Sequence, residues 1–254
     1  MFGDDTLLSR FPKKRPELPA AYRAIYAEHY KRNREGGSTA SFLSQKMERW
    51  MHRKVAQDAA RNAGECRTLE IGAGNLNHLR YEPHSRRYDV VEALSDLVVS
   101  SLNRPRVRNA YRDLNEIRDQ QYDRIISIAA FEHYCNLPEI VARCGLLLAG
   151  GGQLRVAIPS EGALLWTLGW RFTTGLEFRL KYGLDYGVLM RYEHVNTAAE
   201  IESVLRIFFK VVRPSVFGIS CTLSFYQFFQ CTTPNMARCK DAAERGPREE
   251  FRHS

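Results

Sequence analysis

From about residue 65 to residue 233, short apolar runs alternate with segments of helical period. Thr68-Leu69-Glu70-Ile71 reads as a buried strand that carries an acid and runs straight into Gly72-Ala73-Gly74. Tyr88 to Val91 is a second strand closed by Glu92. Val107 to Tyr111 is a third, followed by Asp113, and Tyr122 to Ile128 a fourth, followed by Ala129-Ala130-Phe131-Glu132-His133. Ser95 to Leu102 fits a helix ended by Asn103 and Pro105. Leu137 to Leu148 places Ile140, Val141, Cys144, Leu146 and Leu147 at helical spacing, with Gly150-Gly151-Gly152 as its stop. Thr197 and Glu200 form a capping-box pattern for a helix to about Ile207, and Phe208 to Val212 and Leu223 to Phe229 read as two late strands. Strands alternating with helices predict right-handed crossovers and a parallel sheet.

Outside this region the pattern changes. Met1 to Pro19 is polar and punctuated by Pro12, Pro16 and Pro19, which predicts an extended or mobile lead. Tyr22, Ile25, Tyr26 and Tyr30 recur at helical spacing from Ala20 to about Arg34, before Gly36-Gly37. A second helix spans about Ser41 to Asn62, with Leu43, Met47, Trp50, Met51 and Val55 on one face. That stripe is expected to be core packing, with Tyr30, Arg32 and His52 as candidate pocket residues. Residues 1–64 are thus a lead with covering helices, and the polar tail of residues 234–254 is expected to be disordered. Ser160 to Glu193 breaks the alternation: its aromatic residues, from Trp166 to Tyr192, either complete a core or wall a pocket. Ala163 to Phe172 alternatively fits a membrane surface, with Arg171, Arg179 and Lys181 near the headgroups.

A length of 254 residues suits one α/β domain with extra helices. The net charge of +8 comes mainly from scattered arginines, without an RNA-binding module, so nucleic acid is not an expected partner. Cys66, Cys135, Cys144, Cys221, Cys231 and Cys239 contain no C-x-x-C pair and no zinc spacing; reduced thiols in a cytoplasmic protein are expected. No stretch approaches the ~18 apolar residues of a membrane span.

Glycines directly after a strand let the backbone turn sharply and approach a ligand more closely than a Cβ would permit. The carboxyl ends of strands are where open α/β sheets bind ligands, and Glu92 follows Gly74 at close to the ~20 residues expected of a carboxylate that accepts hydrogen bonds from a ribose. Through Glu70-x-Gly72-x-Gly74, Glu92, Asp113, Phe131-Glu132-His133 and the run Leu146 to Pro159, the chain resembles the class I S-adenosylmethionine-dependent methyltransferases over roughly residues 65 to 231. The resemblance implies a Rossmann-like doubly wound α/β fold: a mostly parallel seven-stranded sheet with an antiparallel last strand, here with extra N-terminal helices. It implies that Glu70 and the Gly72-Ala73-Gly74 backbone hold the methionine part of the cofactor, Glu92 the ribose, and Asp113 with Leu114 the adenine, with Ala129 also at the cofactor. Residues 160–195 would take the place of the family's substrate-recognition insert, which makes Trp166, Trp170, Tyr186 and Tyr192 candidate substrate-binding residues. The family's frequent third glycine falls at Leu76, and Pro83 allows only a short helix after the loop.

Methyl transfer from a sulfonium needs mainly a nucleophile held in line, where orientation contributes up to ~7–11 kcal/mol. A hydroxyl acceptor also needs a base, worth ~10²–10⁴-fold. His133, after the fourth strand, is the first candidate and His194, before the last helix, the second; each competes with the reading of a hydrogen-bonded packing histidine. Ala129-Ala130-Phe131-Glu132 lacks the Asn/Asp-Pro-Pro-aromatic motif of enzymes that methylate exocyclic base amines, and no cysteine is placed as cytosine C5 enzymes require. Ala129 stands where a metal-assisted relative has the first acid of Glu-x-x-Glu-His, so no metal is expected. The expected activity is methyl transfer to oxygen or nitrogen of a small-molecule, glycan or lipid-linked acceptor. One rival is a NAD-dependent oxidoreductase, whose fingerprint wants glycine at Asn77; the other is a methyltransferase-like fold that binds or regulates without turnover.

Overall fold

A computed structural model of the chain describes residues 4–26, 42–62, 66–83 and 87–245; Tyr30 and Arg32 lie outside them. The strands are β1 (Thr68–Ile71), β2 (Tyr88–Val91), β3 (Ala110–Tyr111), β4 (Tyr122–Ile128), β5 (Leu148–Pro159), β6 (Phe209–Gly218) and β7 (Ser224–Pro234). They form one sheet in the order β3-β2-β1-β4-β5-β7-β6. Neighbours from β3 to β5 pair in parallel, and β7 runs antiparallel to both β5 and β6. This is the expected Rossmann-like doubly wound sheet. Its inserted β7 departs from the 3-2-1-4-5-6 order of the dinucleotide-binding fold, which removes architectural support from the oxidoreductase reading.

Helices α1 (Asp4–Leu8), α2 (described over residues 20–26) and α3 (Phe42–Val55) precede the sheet. α4 (Ser95–Val99) follows β2, and α5 (Leu137–Leu147) follows β4. The segment after β5 holds α6 (Leu164–Trp170), α7 (Leu176–Tyr182) and α8 (Tyr186–Glu193); α9 (Ala198–Phe208) leads into β6 and α10 (Met236–Arg245) follows β7. Both faces of the sheet are covered. Leu69 and Ile71 enter a core with Val141, Val204 and Phe208 of α5 and α9, whereas Tyr88 and Val90 enter one with Met51 and Val55 of α3. A third cluster, Leu18, Tyr22, Phe178 and Leu189, joins the lead and α2 to α7 and α8. The Thr197/Glu200 capping box starts α9 as its sequence predicts.

The structure changes several expectations. Gly150-Gly151-Gly152 does not stop α5 in a loop: the chain passes from Leu147 directly into β5, which contains the run. At Gly152 a Cβ would stand 3.0 Å from the Tyr122 carbonyl, beside an irregularity in the β4–β5 ladder, so glycine serves close backbone approach here. The third strand is reduced to Ala110–Tyr111. After the glycine loop no α-helix forms; Asn77–Tyr81 is a 3-10 turn entered by Leu76 at φ 64°. The tail is helical as far as Arg245, correcting the expected disorder there: α10 buries Cys239 against α5, where a Cβ on Gly145 would come within 2.6 Å of the Cys239 Sγ. All six cysteines are free. Among the described residues no helix is long and apolar enough to cross a membrane.

Candidate active site

The carboxyl ends of β1, β2 and β4 open onto two adjoining cavities. The larger, about 410 Å³, is lined by Glu70 and Ala73 on one side and by His52, Glu132, Trp166 and His194 on the other. The smaller, about 170 Å³, is lined by Glu92, Leu94, Leu97 and Tyr134; Gly72, Gly74, Ala129 and His133 border both. Gly72 (φ 70°) must be glycine, because a Cβ would stand 2.5 Å from that of Ala130. Gly74 (φ 50°) shares the left-handed backbone but not the crowding: apart from its chain neighbours nothing lies within 4 Å of where its Cβ would be, so the space there is open at the border of the cavities.

The Gly74 N–H donates to Glu92 Oε2 at 2.8 Å and the Leu94 N–H to Oε1 at 3.1 Å. These bonds fix the carboxylate at the wall of the smaller cavity while leaving each oxygen further acceptor capacity. Glu70 is buried and accepts the Tyr88 hydroxyl at 2.7 Å; burial pushes its pKa up to about 8 against that bond. Asp113 and Leu114 are corrections. The Asp113 carboxylate accepts the Asn115 N–H and caps the turn Leu114–Glu116, while Leu114 is buried in the core, and neither lines either of these two cavities.

His133 and His194 meet because the loops carrying them are clamped together. The Val195 and Asn196 N–H groups donate to the Glu132 carbonyl at 2.9 and 3.1 Å, and the buried Asn196 Nδ2 donates to the carbonyls of Phe131 and Tyr134. From the lead, Arg15 donates to the carbonyls of His133, Tyr192 and Glu193, and Lys13 to Val195 O and Glu200. Residues 11–19 of the lead therefore form an extended strap across this joint, the first of the two expected forms. The two imidazoles stand edge to face with centroids 5.0 Å apart. His133 Nδ1 lies 2.9 Å from the Glu193 carbonyl and His194 Nδ1 2.9 Å from Glu161 Oε2, and both oxygens only accept. Nδ1 thus carries the hydrogen in each ring, and Nε2 holds the lone pair in the neutral form.

Glu161 Oε2 also accepts the Trp166 indole N–H at 2.6 Å. Burial pulls the His194 pKa down, but the hydrogen bond to Glu161, reinforced by Glu132 and Glu193, outweighs it and leaves the pKa above the ordinary histidine value. Glu132 is buried, its Oε2 has no hydrogen-bond partner, and desolvation pushes its pKa up to about 7. Ligand atoms of Glu132, His133 and His194 all lie within 4.8 Å of one another, so these three side chains could share protons or hold a divalent ion.

Of the four aromatic candidates for substrate binding, Trp166 lines the larger cavity. The other three are corrections: Trp170 packs on Tyr186 (6.0 Å), Tyr186 on Phe178 (5.3 Å), and Tyr192 on Tyr26 (5.2 Å) and Arg15. Tyr186 and Tyr192 extend the third apolar cluster, and none of the three lines either cavity.

His52 does reach the cavity, at the end of a buried polar chain that its sequence neighbourhood does not reveal. Its Nδ1 lies 3.0 Å from His78 Nδ1, and His78 Nε2 lies 2.7 Å from Glu82. Burial lowers the His78 pKa to about 4, whereas hydrogen bonds from His78 and Arg124 overcome burial and hold Glu82 at about 2. Neutral His78 therefore donates to ionised Glu82, and His52 Nδ1 donates to His78. Arg124 of β4 also binds Asp58 and the Val55 carbonyl, and Arg155 of β5 the carbonyls of Lys54 and Val55. Two sheet arginines thus satisfy the C-terminal carbonyls of α3 and hold it over the cavity.

No protein-family model matches the chain, and neither does any curated protein. Solved structures do. The plantazolicin methyltransferase BpumL in complex with SAH superposes with a TM-score of 0.56 at 12% identity, over 91% of this chain and 99% of its own. An O-methyltransferase family protein from Burkholderia thailandensis gives 0.52 at 14% identity, over 90% of this chain and 68% of that one. The DhpI-SAM-HEP complex gives 0.50 at 14% identity, over 85% and 100%. Together with the strand order, these likenesses show that the chain has the Rossmann-like fold of the class I S-adenosylmethionine-dependent methyltransferases.

Proposed function

We propose that the protein transfers a methyl group from S-adenosylmethionine to an oxygen or nitrogen atom of a small acceptor, free or linked to a glycan or lipid. The observation that carries this reading is the pair of adjoining cavities, with Glu92 fixed on one and two histidines of defined tautomer facing the other. Glu70 and the backbone of Gly72, Ala73 and Gly74 would hold the methionine part, and Glu92 the ribose diol. The fit is supported by the open space at Gly74 and by the acceptor capacity left on both Glu92 oxygens. Leu94 and Leu97 replace Asp113 and Leu114 as the groups facing a nucleoside. Bound there, the cofactor would supply a methyl group made electrophilic by its sulfonium.

His194 Nε2 then takes the proton of an acceptor hydroxyl as the new bond forms, and Glu161 holds the imidazole in its tautomer and stabilises the imidazolium. His133, its Nδ1 anchored to the Glu193 carbonyl, is the second base at the same cavity. The test is release of S-adenosylhomocysteine across a panel of alcohols, phenols and amines. Turnover with at least one class is expected, falling by about 10²-fold in His194→Ala. Cofactor binding with no turnover on any acceptor would contradict the reading and favour a binding or regulatory protein.

A further inference from the structure

α6, the π-type turn Arg171–Gly175 and α7 run as one helix from Leu164 to Tyr182, ended by Gly183 at φ 68°. It is about 28 Å long. Its inner side is occupied: Trp166 packs on Tyr226, Gly169 abuts Phe225, and Phe178 is buried in the third apolar cluster. Its outer side carries Leu164, Leu168, Phe172, Leu176 and Leu180, a repeat at every fourth residue, all exposed. On an ideal α-helix each such step drifts by about 40°, which would wind the series round the helix. The wider π turn, placed midway, takes up the excess and keeps the five residues on one side.

The apolar strip continues beyond the helix. The Leu164 N–H donates to the Thr222 carbonyl, which sets the tip of the β6–β7 hairpin beside the helix start. Ile219 at that tip is 85% exposed, comparable to Phe172 at 74% and Leu180 at 80% on the helix. Around the strip stand the exposed cations Arg171, Arg179 and Lys181, while Glu177 is the only acid between residues 164 and 182. An isologous second copy would bring the same excess of cations over acid and no opposite charge to balance it, whereas a layer of anionic headgroups neutralises them while the apolar side chains enter the acyl boundary. No described helix is apolar and long enough to span a bilayer, so the geometry is that of a helix lying in the interface.

We propose that the outer side of helix 164–182, with Ile219, is a docking surface for an anionic phospholipid bilayer. The inner side of the same helix contributes Trp166 to the larger cavity, so docking would place that cavity next to the lipid surface. The surface stands independently of the methyl-transfer reading, because none of its residues lines a cavity.

The test is co-sedimentation of the full chain with vesicles of phosphatidylcholine alone or mixed with phosphatidylglycerol. Binding is expected to the mixed vesicles, weakening as salt rises. The double variant Phe172→Glu/Leu176→Glu should lose on the order of a hundredfold in partitioning, and Arg171→Glu/Arg179→Glu at least about thirtyfold. Circular dichroism and thermal midpoint should be unchanged, since all four side chains are exposed. Failure of the wild type to bind mixed vesicles, or equal binding by the Phe172→Glu/Leu176→Glu variant, would overturn the proposal. So would self-association that this variant abolishes in a protein that ignores both kinds of vesicle, which would assign the face to a second copy.

Discussion

Glu161 is the carboxylate on which the setting of His194 depends, since it orients that ring and anchors Trp166 through one oxygen. In the proposed reaction it is neutral His194 that accepts the proton, so turnover should be low below its raised pKa and climb with pH through it. Glu161→Gln keeps the shape but removes a cause of the rise, so the limb should move to lower pH while kcat falls; an unmoved limb would deny Glu161 this role. Glu70 makes a separate prediction. A carboxyl whose folded-state pKa, about 8, exceeds its ordinary 4.5 holds its proton more tightly when folded. Its contribution is complete below the lower value and lost as pH rises through the higher one. Melting curves should therefore show Glu70→Gln gaining several degrees on the wild type between these pH values; parallel profiles would contradict the buried, protonated state. The cavity positions of His133, His194, Glu70 and Glu92 were legible because each stands at or near a strand end or before a predicted helix. Glu161 was not: it follows β5 in a turn with no motif, and only its distance to His194 marks it.

Elements with a regular period could be read in advance, and those defined by a single close contact could not. β1, β2, β4 and α9 follow apolar runs and a capping box. α10 was hidden because its buried face is slight, Cys239 with the partly buried Ala242, among charges. Gly150-Gly151-Gly152 misled because glycine signals both a helix stop and a close backbone approach, and only the second operates at Gly152. The arginines of β4 and β5 belong with these unreadable features, since a strand pattern gives no sign that Arg124 is buried among Glu82, Asp58 and the end of α3. Replacing it leaves buried carboxylates without their cation. Arg124→Met should therefore cost about 3–5 kcal/mol in urea denaturation, and a loss below about 1 kcal/mol would mean the pairing contributes little.

The sheet, the lead and the segment after β5 act together to make the cavities. Strand ends supply Glu70 and Glu92, α3 is held over them by sheet arginines, and Arg15 and Lys13 draw the loops of His133 and His194 together. The doubly wound architecture was legible from alternation alone. The direction in which Asp113, Trp170, Tyr186 and Tyr192 point was not, because it depends on turns and on packing between distant segments. That the cavities hold S-adenosylmethionine is tested most directly by calorimetric titration of the purified chain with that cofactor and, separately, with NADH, repeated on Glu92→Ala. Micromolar binding of S-adenosylmethionine, weakened at least tenfold in the variant and with no heat from NADH, is the predicted result. Binding of NADH instead, or S-adenosylmethionine affinity unchanged by Glu92→Ala, would contradict it.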